Sequence, residues 1–126
     1  MFTSFELPCT TEASLEARRA LVAVDGALPD SVKEDVLLLL TELVTNAVLH
    51  ADAGPDAPVR LEVDLTGRRV RVTVFDRGPG FTPRVPPRDG ASHGWGLWLV
   101  DRVADGWGVT NTEEETGVWF EMAYGR

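Results

Sequence analysis

The chain has 126 residues, of which 44% are hydrophobic and 25% are charged, a composition typical of one globular domain with a substantial core. The formal net charge of -8 argues against direct binding to nucleic acid, because the phosphate backbone is also negatively charged. Cys9 is the only cysteine, which excludes an internal disulfide, and no segment reaches membrane-spanning length. We expect a single cytoplasmic domain over residues 1–126.

Hydrophobic periodicity predicts an α+β two-layer sandwich, in which about three helices cover one face of a mixed, mostly antiparallel sheet. The predicted elements are, in chain order, an edge strand over 2–7, helices over about 11–26 and 31–51, hairpin strands around 59–65 and 70–75, a third helix opening at 94–96, and final strands over 107–112 and 117–123.

Capping signals and residue spacing predict where the helices end and which sides they bury. Thr10 or Thr11 can cap the first helix, and Ser31 stands three residues before Glu34, as in a capping box. Gly106 is placed to end the third helix. The predicted apolar side of the first helix comprises Leu15, Leu21, Val22 and Val24, and that of the second Val32, Val36, Leu39, Leu40, Leu43 and Ala47.

The second helix also carries a line of polar residues beside its apolar side. Glu42, Asn46 and His50 recur at i, i+4 and i+8, so they stack along one neighbouring face of the helix. Taken alone, this line is compatible with an ordinary solvated face. Two later segments favour a functional interpretation.

The first of these segments is Asp76-x-Gly78-x-Gly80, at the end of a predicted strand, and the second is Gly94-x-Gly96, at a helix N-terminus. Between them, residues 79–93 are rich in proline and show no periodicity, which predicts a lid loop. Each motif alone is ordinary, the first as a turn and the second as a weak glycine pattern. Their order along one short domain suggests a common ligand.

A nucleoside triphosphate gives each polar residue a chemical role. Asn46 offers a neutral oxygen to a magnesium ion, which takes hard oxygen ligands together with phosphate and water. Asp76 can accept a hydrogen bond from the amino group of adenine. Glu42, one turn from the metal ligand, is placed to act as a base near the terminal phosphate. His50 is interpreted as a polar residue of the helix end or one close to phosphate, in preference to a catalytic base or phosphoacceptor.

The glycines of the two motifs would shape the same site. Gly78 and Gly80 remove side chains where a flat base approaches the backbone. Gly94 and Gly96 leave the N–H groups of a helix N-terminus open to phosphate.

These three segments resemble the N, G1 and G2 boxes of the GHKL (Bergerat-type) ATP-binding fold, which histidine kinases, Hsp90, gyrase and MutL share. The matching stretches are Glu42–Ala51, Asp76–Phe81 and Gly94–Val100. Within that fold the chain is most similar to the anti-sigma factor serine/threonine kinases of the RsbW and SpoIIAB type, especially their short actinobacterial versions. The Glu-x-x-x-Asn-Ala-x-x-His-Ala phrasing and the short lid support this resemblance.

The resemblance implies an Mg²⁺- and ATP-dependent protein kinase that sequesters a sigma factor and phosphorylates a serine or threonine of a STAS-domain anti-anti-sigma partner. Glu42 would be the general base, Asn46 the magnesium ligand and Asp76 the adenine ligand. Leu97 would join the pocket glycines, and a homodimer is possible. A lid arginine, Arg84 or Arg88, would neutralise phosphate charge. Arg18 or Arg19 would contact the sigma factor.

One position departs from this family's pattern. A threonine often lies near the adenine-binding aspartate at the start of the last strand. We expect Gly117 to occupy that position here, with Thr116 one residue too early.

Two alternatives to the kinase stay open on sequence grounds. Gly117 and the proline-rich lid favour a protein-binding module in which ATP only sets the lid conformation. A sensor histidine kinase fragment is disfavoured, because no phosphoacceptor helix precedes the ATP-binding region.

Overall fold

The computed structural model describes residues 1–23, 28–50, 58–77, 95–112 and 115–124. The elements in these ranges are, in chain order, β1 (Phe2–Leu7), α1 (Ala13–Ala23), α2 (Asp30–His50), β2 (Val59–Thr66), β3 (Arg69–Asp76), α3 (Trp95–Val103), β4 (Gly106–Asn111) and β5 (Thr116–Ala123).

The five strands form one sheet in the order β1-β2-β3-β5-β4, and all of its pairings are antiparallel. The predicted α+β class is therefore confirmed, and β1 lies at an edge as predicted. β2 and β3 form the predicted hairpin, in which Gly67 adopts a φ of 62°. This left-handed conformation favours glycine, because a Cβ would be strained there.

The core lies between the sheet and the helices, and we call this side of the sheet the helix-covered face. Alternate residues of β2, β3 and β5 point towards it, as the pleat requires. α2 packs across β2, β3 and β5, and its predicted apolar side is confirmed. The fully buried side chains of this layer include Val36, Leu39, Leu40, Val44, Leu61, Val63, Val72, Val74 and Phe120.

The predicted apolar side of α1 was wrong in part. Leu15 and Val22 are 51% and 57% exposed, and the helix instead buries Ala13, Ala17 and Leu21. The two alanines allow α1 to approach its neighbours closely, so small side chains take the positions that larger ones had been expected to fill. Val24 lies outside the described residues.

The helix ends agree with the sequence prediction at one of three caps. Thr10 caps α1, since its hydroxyl accepts a hydrogen bond from Glu12 N at 3.3 Å. The capping box at Ser31 was wrong: Pro29 O accepts the first bonds of α2, from Val32 N and Lys33 N, so Ser31 lies inside the first turn. Gly106 does not end α3, because it already begins β4.

The opposite side of the sheet, here called the open face, carries polar and aromatic residues. The guanidinium carbons of Arg60 and Arg71 lie 4.2 and 4.1 Å from the ring centroids of Phe75 and Trp119. These distances are typical of cation–π pairs. Both arginines also form ion pairs, of 2.9 Å to Glu115 and 3.0 Å to Glu121 respectively.

Within the described ranges, none of the helices combines the length and the apolar character that crossing a bilayer requires.

Candidate functional site

The polar line on α2 lies at the border of the core. Glu42 and Asn46 are both partly exposed, one helical turn apart, next to the buried Leu43 and Ala47. This position lets their polar atoms reach a ligand while the helix stays anchored by its leucines. The neighbouring Thr45 contacts α1, since its hydroxyl lies 3.0 Å from that of Ser14. The structure therefore supports an accessible carboxylate and amide on a fixed helix. His50 is the last residue of α2, and its side chain lies outside the described part.

Asp76 occupies the last position of β3. Val70, Val72 and Val74 are buried against the helices, and the period of two along a strand places Asp76 on that same helix-covered face. The side chain is partly exposed, so the carboxylate sits where the core opens to solvent. An acceptor at this edge suits a ligand that enters beside α2, which packs against β3.

Two further polar residues lie beside Asp76, on the neighbouring strands. Thr116 pairs with Asp76 across β3 and β5, and Asn111 pairs with Thr116 across β5 and β4. Side chains of such directly opposed residues lie on one face, about 5 Å apart. The Thr116 hydroxyl donates a hydrogen bond of 3.1 Å to Asn111 Oδ1. Asp76, Thr116 and Asn111 thus form a row, here called the strand-end row, on the helix-covered face.

This geometry corrects the prediction about Gly117. Gly117 pairs with Phe75, a residue of the open face, so position 117 points away from Asp76. Thr116 is only 1% exposed and is the residue that lies across from the aspartate. A hydroxyl is therefore present directly across from Asp76, and it belongs to Thr116.

Sequence reasoning missed Asn111 and the role of Thr116, although a signal for Thr116 existed. Val118, Phe120 and Met122 alternate as buried residues of β5. Continuing this alternation backwards by two residues reaches Thr116 and skips Gly117. Asn111 carried no comparable signal, because its place in the row depends on the register between β4 and β5.

Several predicted site residues cannot be placed. Gly78, Gly80, Arg84, Arg88 and Gly94, and the predicted lid over 79–93, lie outside the described residues. Gly96 and Leu97 belong to the first turn of α3, which begins at Trp95 as the sequence predicted.

The donor set near α2 fits a magnesium ion that is held mainly by phosphate. The amide oxygen of Asn46 is a hard ligand on a partly exposed side chain, and magnesium keeps several water or phosphate oxygens in its shell. Within the described ranges, no group of three His, Cys, Asp or Glu residues is arranged to hold a metal ion by itself. Asn46 is the side chain that would hold such an ion.

An antiparallel sheet covered on one face, with a polar helix line and an acceptor row at a strand end, is the arrangement of a histidine kinase-like ATP-binding domain. The family model named "Histidine kinase-like ATPase domain" matches residues 7–122. The chain belongs to this family, and ATP is the ligand that this membership indicates.

Individual proteins give more detail. The chain is 34% identical over 80 residues to the anti-sigma F factor of Pasteuria penetrans, a match that covers 60% of this chain and 53% of that protein. The chain thus spans about half the length of this relative. The predicted resemblance to anti-sigma factors of this type is confirmed by that match.

Solved structures agree on the fold. The structure of the RsbU and RsbW domains of Rv1364c from Mycobacterium tuberculosis matches with a TM-score of 0.74 and 20% identity, covering 98% of this chain and 32% of that one. The histidine kinase AdeS of Acinetobacter baumannii matches with a TM-score of 0.54 and 14% identity, covering 96% of this chain and 67% of that one. At such identities the likeness establishes the architecture alone.

Proposed function

We propose that this protein is an anti-sigma regulator that binds Mg²⁺-ATP, sequesters a sigma factor, and phosphorylates a serine or threonine of a STAS-domain anti-anti-sigma partner. Two sets of groups support the proposal: the acceptors of the strand-end row on the helix-covered face, and the Glu42–Asn46 pair on α2, the helix that packs across that face. The similarity to an anti-sigma F factor supports the choice of partners.

The nucleotide would be held at both ends by groups of different chemistry. Asp76 and Thr116 offer oxygen acceptors to the amino group of the adenine. Asn46 would hold the magnesium ion, which neutralises charge on the phosphates. The pocket between them would be lined by Gly78, Gly80, Gly94, Gly96 and Leu97, His50 would lie near phosphate, and Arg84 or Arg88 would contact the terminal phosphate. The roles of Leu97 and of the lid arginine rest on the family resemblance, and the others on the sequence motifs.

Glu42 would act as the general base. Its carboxylate is partly exposed one turn from the proposed metal ligand, so a partner hydroxyl can approach it. As the hydroxyl oxygen bonds to the γ-phosphorus, the bond to the departing ADP oxygen breaks and Glu42 takes the hydroxyl proton. The products are a phosphorylated serine or threonine and ADP.

The surface proposed to contact the sigma factor is a stripe on α1, formed by Leu15, Arg18, Arg19 and Val22. Their spacing of i, i+3, i+4 and i+7 places them on one side of the helix, and all four are exposed. Arg19 has an ion pair of 3.5 Å with Glu16, but both side chains are well exposed, so this pair contributes little stability. Apolar and cationic groups side by side fit a partner that presents apolar residues flanked by carboxylates.

The proposal is tested by replacing Glu42 and following phosphate on the partner. We expect Glu42→Ala to abolish transfer from ATP to a purified STAS-domain partner while nucleotide binding is retained, because the base touches the partner hydroxyl and not the adenine. Mass spectrometry of the partner measures the added phosphate. Glu34→Ala is the matched control, since it removes an exposed carboxylate two turns earlier on the same helix.

The outcomes separate the kinase from a protein-binding module. Phosphate addition that needs both ATP and Glu42 supports the kinase. Unchanged transfer in Glu42→Ala removes Glu42 from the role of base. If the wild-type chain binds ATP and the partner but adds no phosphate, the protein is a nucleotide-gated binding module. That alternative loses one of its two sequence arguments, since Gly117 lies on the open face.

A further inference from the structure

The hydrogen bond between Thr116 and Asn111 fixes the proton of a buried hydroxyl. Thr116 is 1% exposed, whereas Asn111 at the other end of the bond is exposed at the end of β4. The donor is the Thr116 Oγ1 hydroxyl and the acceptor is Asn111 Oδ1, at 3.1 Å. A hydroxyl has one proton, so a threonine that donates to Asn111 has only lone pairs left for any other group.

Asp76, the neighbour of Thr116 on its other side, also offers acceptor atoms. Asp76 lies directly across from Thr116, and an ionised carboxylate is an acceptor only. With the Thr116 proton turned towards Asn111, both residues present acceptors at one edge of the sheet. A base bound there must therefore present hydrogen-bond donors, as the exocyclic amino group of adenine does.

This bond is not needed to close the β4–β5 hairpin. The turn is already closed by Thr112 and Glu115, through Thr112 N to Glu115 O at 2.9 Å and Glu115 N to Thr112 Oγ1 at 3.0 Å. The Thr112 hydroxyl donates a third bond to Glu115 O, at 3.1 Å. The Asn111 amide is therefore available for a task other than holding the turn.

We infer that Asn111 is a positioning residue for base selection, because its contact with Thr116 beside Asp76 keeps the Thr116 hydroxyl from donating its proton towards the base end of the site. Asn111 acts through Thr116 and does not touch the nucleotide. This inference rests on the proposed function, since it concerns the nucleotide that the site is proposed to bind.

The test compares ATP with inosine triphosphate, in which a carbonyl oxygen replaces the 6-amino group. We expect wild-type protein to prefer ATP. Asn111→Leu frees the Thr116 proton, which can then be donated to the carbonyl oxygen, so the preference should fall about five- to tenfold, the size of one hydrogen bond. Asn111→Asp keeps an acceptor for Thr116, so its preference should stay within about twofold of wild type. Using the ratio of the two affinities cancels changes common to both nucleotides.

A double-mutant cycle separates positioning from direct contact. In a Thr116→Val background there is no hydroxyl to orient, so Asn111→Leu should no longer change the ratio. An unchanged ratio in Asn111→Leu, or the same change in both backgrounds, overturns the inference. A purely structural Asn111 would lower the melting temperature and leave the ratio as it was. If Asn111→Leu does not fold, Asn111→Ala carries the same expectation.

Different results would refute the proposed function and the role of Asn111. Wild-type protein that binds neither nucleotide at millimolar concentration refutes the proposed function, and the role of Asn111 falls with it. Wild-type protein that prefers ATP, with Asn111→Leu indistinguishable from it, refutes only the role of Asn111.

Discussion

A substitution at Gly117 tests which residues lie on each face of the sheet, because a methyl group added at this position would contact side chains of the open face. An ideal Cβ at position 117 would lie 2.7 Å from Phe75 Cε1 and 2.8 Å from both Phe75 Cδ1 and Thr110 Oγ1. Such distances require a neighbour to move. The Arg60 guanidinium lies over the Phe75 ring, so a shift of the ring would disturb this contact.

The expected cost of Gly117→Ala follows from two opposing terms. Overpacking of this kind costs about 1–3 kcal/mol. Replacing glycine by alanine recovers about 0.4–1 kcal/mol by restricting the unfolded chain. We expect the free energy of unfolding to fall by about 1–2 kcal/mol, which for a domain of this size lowers the melting temperature by about 3–8 °C. Thermal unfolding followed by circular dichroism measures the change.

Gly106→Ala is the matched control on β4. A Cβ at position 106 would meet its nearest neighbours, Glu121 and Trp119, at 3.8–3.9 Å, which is ordinary contact. We expect this variant to be as stable as wild type or more stable by about 0.5–1 kcal/mol. In a Phe75→Leu background, which removes the ring, the cost of Gly117→Ala should shrink by about 1 kcal/mol.

The assignment of the faces also predicts what Gly117→Ala leaves unchanged. The methyl group lies on the face opposite to Asp76, so nucleotide affinity should stay within about twofold of wild type once unfolding is excluded. A stable Gly117→Ala protein, or one whose nucleotide affinity falls as far as that of Thr116→Val, would refute this account of the two faces.

The remaining predictions concern the site and the core. Asp76→Asn should weaken ATP binding about 10- to 100-fold in calorimetry, because it removes a charged acceptor; Asp64→Asn, at a polar position of the open face, is its control and should change little. Thr116→Val should weaken ATP binding about 2- to 10-fold, and an unchanged affinity would exclude the hydroxyl from the site. Phe120→Ala should lower the unfolding free energy by about 3–5 kcal/mol in urea titrations, since its side chain is fully buried; a loss below about 1 kcal/mol would contradict its place in the core.

The sequence predicts α2 well because two independent signals agree there. Leucine spacing identifies the buried side, and Glu42 and Asn46 interrupt it at one border, where the structure places them. The same reasoning fails at α1, where Ala13 and Ala17 take the buried positions. Hydrophobicity alone does not reveal how close two helices come, and small residues gain burial only when they come close.

The strand-end row shows a second reason why the sequence alone does not predict the whole site. The motif predicts Asp76 as a site residue, but the neighbours of Asp76 depend on strand register, which no local pattern determines. A shift of one residue moves every side chain to the other face, and this is the difference between Thr116 and Gly117 at the aspartate. Residues brought together only by pairing, such as Asn111, therefore require the structure.

The most direct test of the central claim is a calorimetric titration of the purified chain with ATP, with and without magnesium, alongside Asp76→Asn. We predict saturable binding that is strengthened by magnesium and is strongly reduced in the variant. Absence of binding to the wild-type chain at millimolar ATP would contradict the claim that this edge of the core is a nucleotide site. Binding that ignores both magnesium and the substitution would place the nucleotide elsewhere on the protein.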